Sequence, residues 1–446
     1  MTELNVLCDK SAGRVRAMHA VNNGPMGKTS YEGRGNFDTF AALKIPFVRN
    51  HDASLSEAYG SQHVVDVHCI FPDFDRDADD ESAYDFDITD QYTRRIIDAG
   101  SEVFYRLGAS IEHWVRKYGT LMPKDFGKWA DVCAHIIMHY NEGWANGFKL
   151  GIRYWEIWNE ADLDPDDAEN KRTWGGTKLE FFDLFEIAAK KLKSRFPSLM
   201  IGGPALAHNE AWADDFLAEV KKRNIPLDFF SWHVYSTEPK KIRGKAERIK
   251  ALLVKHGLES IPSILNEWNY VRKWEEPLYF LKVIKGLKGS SFSAAVMCDM
   301  QSNSDVDMLM YYDARVEKIW NGLYDSDTLL PIKGYYPFLM FSELYQMGNS
   351  VPVELESETV YATAARSEGR VSLMLTNYTD DDQRCCDEEI LIKLSGITLT
   401  ESTTLKCFEI SEESDYSLVK EEPLVATEIK LEIKKHHTYL VTVENI

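Results

Sequence analysis

Apolar and polar residues alternate in blocks along the first three quarters of the chain. A short apolar run ends in polar or aromatic residues, a loop follows, and then apolar residues recur at helical spacing. The runs 14–21, 45–51, 102–108, 152–160, 199–206, 227–235, 262–270 and 293–300 read as strands. Between them, KLEFFDLFEIAAKKLKSRF (178–196) gathers Leu179, Phe182, Phe185, Ile187 and Leu192 broadly on one side of a helix. WADDFLAEVKKRN (212–224) repeats the pattern on a shorter scale. Eight such units predict an α/β fold, a (β/α)8 TIM barrel over residues 14–347.

The period changes after the helix-like KGYYPFLMFSELYQMG (333–348). TVYATAARSEGRVSLMLTNY (359–378) holds two short runs joined by Ser-Glu-Gly, a hairpin signal. EEILIKLSGI, TTLKCFEI, EIKLEIKK and HTYLVTVE then alternate with period two. Residues 348–446 are therefore predicted to form a C-terminal antiparallel β-sandwich. ELNVLCD (3–9), within residues 1–13, precedes the first barrel strand and is expected to pair into that sheet.

Composition narrows the partners. The chain has 446 residues, 44% of them hydrophobic, enough for a barrel and a smaller module. Its net charge of −20, from 51 basic and 71 acidic residues, argues against nucleic acid and against anionic membranes. The seven cysteines are odd in number and match neither a disulfide framework nor a zinc clip. MTELNVLCDK has no secretory signal, and no apolar run is long enough to span a bilayer. These features describe a reduced, cytoplasmic enzyme. The acidic run 73–87 reads as a solvated rim loop, because it lacks the Gly and terminal Glu of an EF-hand.

On a barrel the C-terminal strand ends face the active site. Arg49, Asn50, His51, Asn159, Glu160, His233, Tyr235 and Glu267 all fall there. Period-two alternation puts His233 and Tyr235 on one side of their strand. Packing accounts for any one of them: His233 as a core histidine, Arg49 in a barrel-end salt bridge. It does not account for all eight at one end. Two carboxylates, Glu160 and Glu267, suit acetal cleavage, which needs a proton on the leaving oxygen and a nucleophile at the anomeric carbon. About 5 Å between them gives retention, and a wider gap gives inversion. Arg49 and Tyr235 are candidates for keeping the nucleophile ionised, and Asn159 for holding a sugar hydroxyl.

These motifs, in this order, resemble a clan A retaining glycoside hydrolase, most closely family thirty-nine, which includes β-xylosidases and α-L-iduronidases. WEIWNEADL (155–163) resembles the family's acid/base motif and implies that role for Glu160, with Asn159 as its sugar-binding neighbour. ILNEWN implies Glu267 as nucleophile. FVRNH implies Arg49 as its partner and His51 as a sugar contact. SWHVY implies His233 as a sugar contact and Tyr235 as hydrogen-bond donor to the nucleophile. MHAVNNGP (18–25) resembles the family's first strand and turn. The family's xylosidases carry an aromatic eighth strand followed by an acidic sugar contact. The stretch 294–315 departs from that pattern, and Asp299 and Gln301 are its candidates for the role.

The resemblance implies a two-glutamate, exo-acting β-xylosidase-like enzyme for oligosaccharides or glycosides. The same chemistry on a β-glucoside, β-galactoside, arabinoside or uronide is the alternative within catalysis, and a non-catalytic carbohydrate-binding protein the alternative outside it. A metal hydrolase has less support. His63 and His68 are close in sequence, as are His135 and His139, but the second pair lacks the HExxH glutamate. No Gly-rich phosphate loop is present, so neither cofactor nor metal is expected. The sequence is compatible with a homo-oligomer.

Overall fold

The computed structural model describes residues 2–26, 35–52, 64–316 and 319–446. Eight parallel strands close into a barrel: β2 (Ala17–Asn22), β3 (Phe47–Arg49), β4 (Glu102–Leu107), β5 (Tyr154–Ile157), β6 (Met200–Leu206), β7 (Phe230–Tyr235), β8 (Ser263–Asn269) and β9 (Met308–Tyr311). They follow β1 (Thr2–Leu7), which belongs to the β-domain. Ala17, Ala20, Phe47, Phe104, Phe229, Ile264, Met308 and Met310 plug the N-terminal end of the barrel. The opposite end is left to polar side chains.

One predicted strand is a helix. Residues 293–300 lie inside the helix Leu287–Asn303, and the eighth barrel strand is the short MLMY run of β9. That helix packs against both the barrel and the β-domain, and nearly all of it is buried. A helix buried nearly all round carries little 3.6-residue signal, so its central apolar run mimics a buried strand. The helix Lys178–Arg195 also differs in its inward face. Phe181, Phe182, Leu184, Phe185, Ala188 and Leu192 are buried, while Leu179 and Ile187 face solvent. It starts at a capping box. The Thr177 hydroxyl accepts from Glu180 N at 3.3 Å, and the Glu180 carboxylate accepts from Thr177 N at 2.7 Å.

The β-domain holds β10 (Asn349–Val351), β11 (Val353–Leu355), β12 (Val360–Ser367), β13 (Arg370–Asn377), β14 (Glu388–Ser395), β15 (Thr404–Ile410), β16 (Asp415–Pro423), β17 (Glu428–Ile433) and β18 (Thr438–Glu444). A six-stranded sheet runs β10-β12-β13-β18-β15-β16 and a four-stranded sheet β11-β1-β14-β17. Leu4, Val6, Ile390 and Ile392 of the second sheet share one core with Leu373, Leu375, Val441 and Val443 of the first. All strand pairs here are antiparallel except β1 with β14, which run parallel.

The loop after β13 grips the barrel near its mouth. Tyr378 donates to the Thr237 carbonyl at 2.6 Å, two residues beyond β7. Tyr270, just past β8, donates to Asp380 at 2.6 Å, and Lys288 pairs with Asp380 at 3.1 Å. Among the described residues no helix is long and apolar enough to cross a membrane, and none of the seven cysteines is joined in a disulfide.

Candidate active site

The site hangs on one buried arginine. Arg49 ends β3 and points up the barrel axis, fully buried. Its Nη1 donates to Glu267 Oε1 at 2.7 Å and to Asn22 Oδ1 at 3.1 Å, and its Nη2 to Asn159 Oδ1 at 2.7 Å. Its Nε donates to Glu156 Oε2 at 2.7 Å. Four strands are thereby tied to one guanidinium, whose planar fork fixes the direction of each bond.

Glu267 lies near the end of β8. Its second oxygen, Oε2, accepts from the Tyr235 hydroxyl at 2.8 Å. Burial pushes its pKa up, while His233 and Arg49 work against that rise. Burial also holds the Tyr235 hydroxyl well above its ordinary range, so it stays a donor. His51 Nδ1 accepts from Arg106 Nε at 3.1 Å, which puts the His51 proton on Nε2, 3.4 Å from Glu267 Oε1. His51 is held neutral by burial.

Glu160 arrives by an irregular backbone. Trp158 and Glu160 both have positive φ, +72° and +51°, a region that costs an L-residue about 1 kcal/mol or more. Gly108, at φ +124° beyond β4, makes room: a Cβ there would sit 3.0 Å from Trp158 Cα. The bonds Trp158 N to Leu107 O (2.6 Å) and Glu160 N to Ala205 O (3.0 Å) hold the turn. The turn brings the Glu160 carboxylate to 2.7 Å from His233 Nδ1. Burial first, and the Asp162 charge second, push Glu160 up to about 8. Burial pushes His233 down to about 4, so at neutral pH the imidazole is uncharged and the shared proton is counted on the carboxyl. Asp162 is fixed by three backbone amides, Ala207 (2.7 Å), His208 (2.9 Å) and Asn209 (2.8 Å).

A cavity of about 620 Å³ opens above the two carboxylates. Asp52, Tyr312, Trp274 and Trp320 wall it near Glu267, and His113, Leu163, Arg172 and His208 lie along the rest of its lining. Trp274 packs edge-on against Tyr235 with centroids 5.3 Å apart, and remains 59% exposed at the rim.

The structure brings together seven of the nine predicted site residues: Arg49, His51, Asn159, Glu160, His233, Tyr235 and Glu267. Asp299 and Gln301 are corrected. Both lie on the helix Leu287–Asn303 rather than on a strand. Asp299 pairs with Arg243 at 2.8 Å, and Gln301 accepts from Arg16 N at 2.8 Å, ahead of the first barrel strand and away from the mouth. Sequence reasoning missed Glu156, Asp162, Asp52, Lys245, Tyr312, Trp274 and Trp320. Glu156 and Asp162 sit within the same YWEIWNEADL segment, so strand alternation through Glu156 was the available signal.

One oxygen of Glu160, one of Glu267 and a nitrogen of His233 lie within 4.8 Å of one another, a grouping that could hold a cation. Both oxygens of Glu267 are already engaged by donors, Arg49 and Tyr235. A divalent ion would compete with a buried guanidinium, so the donor set suits a proton network better. His135 and His139 are packing residues: His139 stacks on Phe86 at 3.6 Å and bonds Asp90 at 2.9 Å. His63 lies outside the described residues.

A closed (β/α)8 barrel whose mouth presents two carboxylates within 4.8 Å is a barrel of the glycoside hydrolase class. The family model "Glycosyl hydrolases family 39" matches residues 55–269. A β-xylosidase of Geobacillus stearothermophilus is 33% identical over 133 residues, 29% of this chain and 24% of that protein. A β-xylosidase of Caldicellulosiruptor saccharolyticus is 26% identical over 309 residues, 62% of this chain and 58% of that protein. The chain thus spans less than two thirds of either relative. Among solved structures, a glucosidase from Croceicoccus marinus has a TM-score of 0.79 at 18% identity, covering 100% of this chain and 99% of its own. A monomeric β-xylosidase from Caulobacter crescentus has a TM-score of 0.73 at 16% identity, with both chains covered at 100%. Over residues 55–269 the chain is similar to glycoside hydrolase family 39.

Proposed function

We propose that the protein is a retaining glycoside hydrolase, with Glu267 as nucleophile and Glu160 as acid/base, acting as an exo-β-xylosidase on oligosaccharides. The observation that carries this reading is the pair of carboxylates with oxygens within 4.8 Å and opposite proton environments. That spacing suits retention, since inversion needs about 6.5–9.5 Å to admit a water. Glu267 meets a guanidinium and a hydroxyl, which favour its anion. Burial first, and the charge of Asp162 second, keep the proton on Glu160, beside the neutral His233.

The reaction follows from those states. Glu160 gives its proton to the glycosidic oxygen as Glu267 attacks the anomeric carbon and the leaving group departs. Glu160, now ionised, takes a proton from water, and the water oxygen displaces Glu267 with net retention. Asn159 is placed by Arg49 to hold a sugar hydroxyl at the transition state. The xyloside assignment rests on the two β-xylosidase relatives. A cytoplasmic setting is supported by seven cysteines of which none is in a disulfide.

A panel of nitrophenyl glycosides tests the sugar, with the β-xyloside expected to be fastest. Azide tests the roles. Glu160→Ala should accumulate a glycosyl-enzyme on an activated substrate, and azide should release a retained glycosyl azide. Glu267→Ala should give the inverted azide. Swapped stereochemistry reverses the two roles. Near-wild-type activity of either variant on an unactivated substrate refutes the pair.

A further inference from the structure

Glu156 is a third carboxylate, fully buried on β5 and absent from the cavity wall, so it does not touch substrate. It accepts from Nε of the Arg49 guanidinium, whose Nη1 and Nη2 serve Glu267 and Asn159. Its other oxygen accepts from Ser231 Oγ at 2.6 Å and Asn266 Nδ2 at 2.5 Å. A single cation thus lies between two buried carboxylates, one reactive and one not. Held at Nε, the guanidinium plane cannot rotate, so Nη1 and Nη2 are aimed.

The second consequence is electrostatic. In a low-dielectric interior, charge shared with Glu156 is not available in full to Glu267. A nucleophile bound to an undivided guanidinium would ionise easily but hold its lone pairs too tightly to attack well. We infer that Glu156 is a positioning residue that sets both the aim of Arg49 and how much of its charge reaches the nucleophile. This rests on the assignment of Glu267 as nucleophile.

Groups facing Glu267 from every side are Arg49, His51, Asp52, Glu160, His233, Tyr235 and Tyr312, and none of them changes in the test variants. Glu156→Gln keeps the volume and can still accept from Arg49 Nε, but loses the charge. Its new amide can donate to Ser231 Oγ and, after a side-chain flip, to Asn266 Oδ1, which has no partner among the described residues. Ser231→Ala does the reverse: it keeps the charge and removes a donor, so more of the Glu156 charge falls on Arg49.

The probe is 2,4-dinitrophenyl 2-deoxy-2-fluoro-β-xyloside, with the labelled residue identified by mass spectrometry and the labelling rate followed against pH. Label on Glu267 is expected in all three proteins. Relative to its own plateau, Glu156→Gln should label roughly tenfold faster than wild type on the acidic limb, a midpoint moved to lower pH. Ser231→Ala should move the midpoint the other way. Label on Glu267 with unmoved midpoints in both variants overturns this inference alone. Label on another residue overturns it together with the nucleophile assignment. If Glu156→Gln does not fold, the Ser231→Ala midpoint decides: an upward move supports the inference, and an unmoved or lowered one overturns it.

Discussion

Replacing Tyr235 with Phe removes one hydroxyl and little else. The ring is caged by Trp274, Trp320 and Tyr312, with centroids 5.3, 6.1 and 6.4 Å away, so a phenyl group keeps its place. The lost contact is the 2.8 Å bond to Glu267 Oε2. A hydrogen bond to a charged group is worth about 1.5–3 kcal/mol. At about 1.4 kcal/mol per decade, kcat/KM should fall about 10- to 150-fold. The donor favours the ionised carboxylate, so losing it raises the Glu267 pKa further, and the acidic limb of kcat/KM moves to higher pH. Thermal stability should change little, because no cavity is made. The assay is a pH series of kcat/KM on an activated xyloside, with melting measured alongside. An unmoved acidic limb with a large loss of activity would mean that Tyr235 acts on the substrate and not on Glu267.

Three further outcomes follow from the site. Asp162→Asn removes the charge that, after burial, most raises Glu160, so the basic limb of kcat/KM should move to lower pH; loosening three amide contacts should also cost about 1–2 kcal/mol in urea unfolding. Glu160 rises from an ordinary 4.5 to about 8, so its native state favours the protonated form, an advantage complete below 4.5 and lost as pH climbs through 8. Glu160→Gln should therefore match wild-type stability near pH 4 and exceed it by roughly 1–3 kcal/mol at pH 8, measured by denaturant unfolding; a pH-independent difference would refute the assignment. Dialysis against EDTA should leave activity unchanged, since Arg49 and Tyr235 occupy both oxygens of Glu267; a loss restored by zinc would place an ion between Glu160, His233 and Glu267.

Seven barrel strands were legible because short apolar runs alternate with helical stretches, and four of the runs end in polar residues at the mouth. FVRNH, WEIWNE, SWHVY and ILNEWN each announce both a strand and a side chain of the site. The eighth strand was not legible. MLMY has only four residues, and the longer run before it belongs to a helix buried between two domains. Misplacing that strand carried Asp299 and Gln301 into the site with it. Glu156 was hidden for a related reason. It sits inside an apolar run, where alternation marks the position as facing one side of the strand but only the barrel's closure shows that Arg49 meets it there. The cavity walls from Asp52, Trp274, Tyr312 and Trp320 lie in loops, whose paths are set by tertiary contacts rather than by any local period.

The pairing of β1 fixes an order of assembly. Thr2 pairs with Ile390, and Leu4 with Leu355 on the other side, so the first strand waits for partners encoded far downstream. During synthesis every barrel strand leaves the ribosome before β14 does. The N-terminal strand therefore lacks its parallel partner, a sticky edge, until residues 388–395 have emerged. Joining ends so distant in sequence adds little entropy beyond that of a shorter loop, because the cost grows only with the logarithm of length. It does add time. The loop carrying Tyr378 and Asp380, which grips the ends of β7 and β8, emerges late as well. The strand ends bearing Tyr235 and Glu267 thus gain this support late in synthesis, and a chain interrupted before residue 378 would lack the brace altogether.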